Sequence, residues 1–68
     1  MTVTYDRKDD LLHIRLDESP QEVVNKRMDD DIVLDIGAGD RVVGVEILDA
    51  SKRVSLESLP TIEYAEVV

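Results

Sequence analysis

The sequence predicts a mainly β domain, bordering on α+β: a single antiparallel meander sheet of four to five short strands, with a short helical element near the C-terminus. Three observations lead there. Apolar residues alternate with period two over most of the chain, as in strands that bury one face. The alternating runs are separated by short polar segments rich in Asp, Gly, Ser and Pro, which mark turns. After Leu48 the alternation stops, and a candidate cap is followed by basic residues.

The elements are taken in chain order. Val3 and Tyr5 alternate with Thr2 and Thr4, and Leu12, Ile14 and Leu16 with His13 and Arg15. The polar stretch Asp6-Arg7-Lys8-Asp9-Asp10 between them makes a hairpin loop of about four to five residues. Asp17-Glu18-Ser19-Pro20 breaks the chain, since Pro20 cannot donate to a ladder. Glu22–Met28 is the least regular stretch and reads as an edge strand, where charged side chains discourage aggregation. Asp29-Asp30-Asp31 is a loop. Ile32, Leu34 and Ile36 then form a clear strand, and Val43, Val45 and Ile47 a second. Gly37-Ala38-Gly39-Asp40 joins them as a four-residue turn whose glycines can take positive φ. Asp49 or Ser51 is positioned to cap one or two helical turns, which Ser55–Leu59 could extend and Pro60 would end. Thr61–Val68 reads as a final strand, a docking tail or a frayed end. The domain thus spans residues 1–53, and residues 54–68 form a tail that docks on the sheet or on a partner subunit.

The alternation gathers Leu12, Ile14, Leu16, Ile32, Leu34, Ile36, Val43, Val45 and Ile47 on one face. A single sheet cannot bury that face on itself, and a short helix covers only part of it. Leu12, Ile14, Leu16, Leu34, Val45 and Ile47 are therefore the interface candidates for a homo-oligomer, a dimer being favoured. Composition supports this. Tyr5 and Tyr64 are the only aromatics in 68 residues, and there is no cysteine to staple so small a core.

The formal net charge is −8. That argues against direct contact with nucleic acid or an anionic membrane surface, which need clustered Lys and Arg. Without cysteine and with one histidine, His13, there is no zinc ribbon and no histidine metal cluster. No cofactor and no metal are expected. No apolar run approaches the roughly 20 residues of a membrane span. The start Met-Thr-Val-Thr-Tyr lacks the pattern of a signal peptide, so a soluble cytoplasmic protein is expected. Asp outnumbers Glu ten to six and Arg outnumbers Lys five to three, Val is abundant and Phe is absent. That mixture suits concentrated salt, and so a halophilic archaeal source, because screening removes the self-repulsion of an acidic domain.

Gly39-Asp-Arg-Val-Val-Gly-Val-Glu-Ile-Leu-Asp-Ala-Ser51 has the form of a family signature, as do Val3-Thr-Tyr-Asp6, Asp10-Leu-Leu-His-Ile-Arg-Leu16 and Ile32-Val-Leu-Asp35. In this order the segments resemble the small prokaryotic family called domain of unknown function 2283, over roughly residues 3 to 53. The sequence departs from the usual pattern at Leu12, near which many members carry a tyrosine or similar residue, and in its long tail. The resemblance implies a short β-rich protein. Because some members lie beside small toxin-like genes, it also implies an antitoxin or accessory role. It transfers no catalytic residue.

The candidate sites each have a plain structural reading. Asp29, Asp30, Asp31 and Asp35 offer carboxylates for a hard cation, but the spacing is not that of a calcium loop, and a solvated acidic turn is expected. His13 falls opposite the apolar face without an evident nucleophile, so a surface or interface histidine is expected, one that could tune association near neutral pH. Glu46 lies beside Gly44, a mid-strand glycine that implies a bulge or a close backbone approach. A cross-strand pair of Glu46 with Arg15 or Arg41 is favoured over a buried acid at a site. Gly37-Ala-Gly39 lacks the lysine of a phosphate loop, and Asp49-Ala-Ser51 lacks a histidine for nucleophile chemistry.

No catalytic set emerges. The leading expectation is a small non-enzymatic interaction module that self-associates through its sheet, antitoxin-like or accessory to another small protein. A basic protein is the easier partner for so acidic a chain. The alternative is a small-molecule or metal-ion binding protein with a site between subunits, which convergence of Glu46 and Asp35 would favour. An enzyme whose site forms only in the oligomer is the least supported.

Overall fold

A computed structural model describes residues 1–55 and, for backbone only, residues 64–67. The chain forms one mainly β sheet: β1 (Thr2–Asp6), β2 (Leu11–Arg15), β3 (Val24–Arg27), β4 (Ile32–Ile36), β5 (Val42–Leu48) and β6 (Tyr64–Val67). A single-turn helix, α1 (Ala50–Arg53), follows β5. The strand order is β3-β4-β5-β2-β1-β6. β1 to β5 pair antiparallel throughout, while β6 joins the outer side of β1 in parallel.

Both expected hairpins form, for local reasons. In the β1–β2 turn the Asp6 carboxylate accepts the N–H groups of Lys8 and Asp9 at 2.9 and 3.2 Å, an Asx-type turn. Asp10 closes it at φ 51°, a left-handed conformation that Asp tolerates better than most residues. In the β4–β5 turn Gly37 donates to the Arg41 carbonyl at 2.8 Å, and Gly39 takes φ 70°. The sheet is not one sequential meander. The segment after β2 crosses from the middle of the sheet to its edge, so β3–β4–β5 folds back and lays β5 against β2. Leu16, expected as the last residue of the β2 alternation, lies just beyond the strand and is 49% exposed.

The helical element is a single turn, within the one or two turns expected, but it is capped differently. It ends at Arg53, and Val54 is already extended at φ −127°, so it does not run on into Ser55. Residues 56–59 and Pro60 of the expected extension lie outside the described residues, as do Thr61–Glu63 and Val68 of the terminal segment. Of the three readings of that segment, a final strand is the one that β6 fulfils. Asp49 adopts φ 51° and makes no side-chain cap. Asp10, from the distant β1–β2 turn, supplies it. Its carbonyl accepts Ala50 N–H at 3.0 Å, and its carboxylate accepts Ser51 N–H at 3.0 Å and the Ser51 hydroxyl at 2.6 Å. Tyr5 donates its hydroxyl to the same carboxylate at 2.7 Å.

That clamp seats α1 on the apolar face. Val3, Leu12 and Ala50 are buried together, with Tyr5, Ile14, Ile47 and Val54 packed against them. Burying a leucine as fully as Leu12 contributes about 2–3 kcal/mol. Outside that cluster Val43 is buried as well. Farther along the same face Ile32, Leu34, Ile36 and Val45 are only half-buried. None of the described helices is long and apolar enough to cross a membrane.

Candidate functional site

The opposite face carries a polar cluster at the centre of the sheet. Its members come from four strands: Asn25 on β3, Asp35 on β4, Glu46 on β5 and His13 on β2. Register brings them together. His13 lies opposite Glu46, Glu46 opposite Val33, Asn25 opposite Asp35, and Asp35 opposite Gly44. Because Gly44 has no side chain, Asp35 can reach across β5 to His13, and Asp35 Oδ2 lies 2.9 Å from His13 Nε2. A Cβ at Gly44 would stand 2.6 Å from that same Oδ2 and 3.3 Å from His13 Nε2. The expected bulge is present too. Asp35 faces Gly44 while Ile36 faces Val42, leaving Val43 as the extra residue.

Asn25 donates its amide to Asp35 Oδ1 at 2.6 Å and to Glu46 Oε2 at 3.3 Å. Asp35 is the only buried charged residue among those described, 7% exposed. Burial alone would raise its pKa. Hydrogen bonds from Glu46, His13 and Asn25 outweigh burial and hold the carboxyl below its usual range. Glu46 moves the other way. The hydrogen bond it donates to Asp35, then burial, then repulsion from the Asp35 charge raise its pKa.

This corrects one expectation. Glu46 does not pair with Arg15 or Arg41; Arg15 lies two pairs along the ladder, opposite Gly44. Both arginines are drawn to Asp17: Arg15 Nε donates to its carbonyl at 3.3 Å, and Arg41 pairs with its carboxylate at 3.1 Å. His13 keeps about a third of its side chain exposed, and a buried carboxylate orients its ring. Asn25 was missed, because a lone polar residue in an irregular segment carries no signal until β3 is set beside β4.

The other sequence candidates fall elsewhere. Asp29 accepts the N–H groups of Asp31 and Ile32 at 2.8 and 3.0 Å, shaping its own turn. Arg53, from the end of α1, bridges Asp29 and Asp31 at 3.5 and 3.2 Å. Among the described residues no group of three His, Asp or Glu side chains is arranged to hold a metal ion. Of the interface candidates, Leu12 is closed inside the protomer at 2% exposure. Ile14, Leu34, Val45 and Ile47 are half-buried, and Leu16 is exposed. Chemically, His13 and Asp35 form a hydrogen-bonded imidazole–carboxylate pair.

Residues 2–51 match the family described as protein of unknown function DUF2283. The chain belongs to this family. The match takes in β1 to β5, the Gly44 crossing and all four residues of the polar cluster. No curated protein and no solved structure matches the chain.

Proposed function

We propose that the protein is a non-enzymatic interaction module that self-associates through the apolar face of its sheet. One observation carries this reading. Val45 and Leu34 stand side by side across β5 and β4, half-buried and outside the cluster that α1 closes, and Ile14 on β2 joins them to that cluster. Leu16 at 49% and Val42 at 42% exposure extend the strip. A contiguous apolar strip on so small a domain is the kind of surface that a second copy covers. The net charge of −8 opposes pairing in dilute buffer, and salt relieves that repulsion. The proposed setting is the cytoplasm of a salt-adapted, halophilic archaeal cell, on the strength of the Asp-rich composition. An antitoxin-like role would put a small basic protein on the same strip. The test is the molar mass by light scattering in dilute and in molar salt. A mass near twice 7.7 kDa in salt is expected, and a monomer at every salt concentration would refute self-association.

The second reading is a small-molecule or metal-ion binding protein with a site between subunits. Asp35, Glu46, His13 and Asn25 gather in one polar cluster, which supports a small polar ligand, while a metal ion would need donors from a second subunit, since no three such side chains among the described residues are arranged to hold one. Calorimetric titration with zinc and manganese separates the readings. Heat of binding that disappears in Asp35→Asn would move the assignment to this second class.

A further inference from the structure

The sheet has an open edge. β3 is the terminal strand of the order, and all four of its residues are exposed. Successive residues of an antiparallel strand point their N–H and C=O groups to alternate sides. Met28 donates inward to the Ile32 carbonyl at 2.8 Å, and Lys26 and Val24 share its parity opposite Leu34 and Ile36. Val23, Asn25 and Arg27 therefore present their backbone groups to the open side. Charged side chains on such an edge normally keep other strands away.

Here the charges are self-complementary instead. Glu22, Val24 and Lys26 alternate along the chain, and all three line one groove, with Ile36 at its wall. Val24 is 68% exposed, and Lys26 forms no ion pair among the described residues. Consider a second copy related by a two-fold axis at Val24. Val24 then lies against the partner subunit's Val24. Glu22 faces the partner subunit's Lys26, and Lys26 faces the partner subunit's Glu22. Backbone groups match as well, because Asn25 comes opposite the partner subunit's Val23 and both point into the gap. An apolar pair flanked by two opposite-charge pairs is the favourable cross-strand arrangement. Moving the axis to Lys26 would instead set like charges opposite each other.

We propose that β3 is an edge-to-edge contact for a second copy of this chain, two-fold symmetric about Val24 and fixed by reciprocal Glu22–Lys26 pairs. The contact is made by the open edge of β3, beside the strip that face pairing would cover, and charge reversal at Glu22 and Lys26 tests it separately from face pairing.

The test is molar mass by light scattering over a range of protein concentration at moderate salt, with amide exchange as a second readout. Wild type is expected to gain one step of doubling as concentration rises, with slowed exchange at Asn25. Lys26→Glu and Glu22→Lys should each lack that step, with an unchanged circular dichroism spectrum. The double reversal Glu22→Lys/Lys26→Glu should regain it. The step runs from two chains to four if the faces pair as proposed, and from one to two if they do not, so the two readings fail separately. The edge contact is overturned if wild type shows no such step, if Lys26→Glu keeps it, or if the double reversal fails to regain it.

Discussion

Gly44 decides the polar cluster. A methyl group there would meet Asp35 Oδ2 at 2.6 Å and the Ile14 carbonyl at 3.2 Å, and Asp35 is held too firmly to step aside. Gly44→Ala should therefore cost about 1–3 kcal/mol in urea unfolding, the range for overpacking and for leaving buried polar groups unpaired. An unchanged midpoint would mean that Asp35 does not need the gap. Glu46 and Asp35 give stability opposite dependences on pH. Glu46 holds its proton more tightly folded than unfolded, so its contribution is full in acid and is lost as pH rises through its raised folded pKa. Asp35 favours its carboxylate in the fold, so its contribution is present above the unfolded value and is lost as pH falls through its lowered folded pKa. Wild-type thermal stability should peak between the two. Glu46→Gln cannot ionise, so it should remove the loss of stability that follows as pH rises through the raised Glu46 pKa. A profile that overlays wild type would contradict the raised Glu46 pKa. At this scale the sequence was half legible. Gly44 and Glu46 stood out in an alternating strand, but what a glycine makes room for depends on register, which no single strand encodes.

The elements were legible where their causes are local. The period-two runs and the Asp and Gly turns located β1, β2, β4 and β5, because pleat and turn chemistry act within a few residues. α1 was located but its cap was misassigned, since the capping carboxylate of Asp10 lies 41 residues from Ser51 in the chain. β6 pairs with β1 across almost the whole chain length, so local alternation could not place it. Two substitutions test the helix end. Asp10→Ala should loosen α1 and lower the thermal midpoint more than Asp10→Asn, which keeps an acceptor for Ser51 N–H. Equal losses would show that the capping bonds are not what holds the helix down. Asp49, at φ 51° with no side-chain cap, sits where glycine avoids a steric cost. Asp49→Gly should be neutral or stabilising by up to about 1 kcal/mol, and a large loss would point to an unrecognised role for its carboxylate.

For the whole molecule the decisive quantity is apolar surface. One sheet and one helical turn close a core at Val3, Leu12 and Ala50 and leave Ile14, Leu34 and Val45 half-covered. The sequence already showed that surplus, because it follows from counting apolar positions on one face against the helix available to cover them. It did not show which end α1 would cover, and so it offered Leu12, a core residue, as an interface residue. The measurement that tests self-association most directly is the molar mass of wild type beside Leu16→Glu and Leu34→Glu in molar salt. The proposed pairing predicts about twice 7.7 kDa for wild type and a folded monomer for each variant. Equal masses for all three proteins would contradict it.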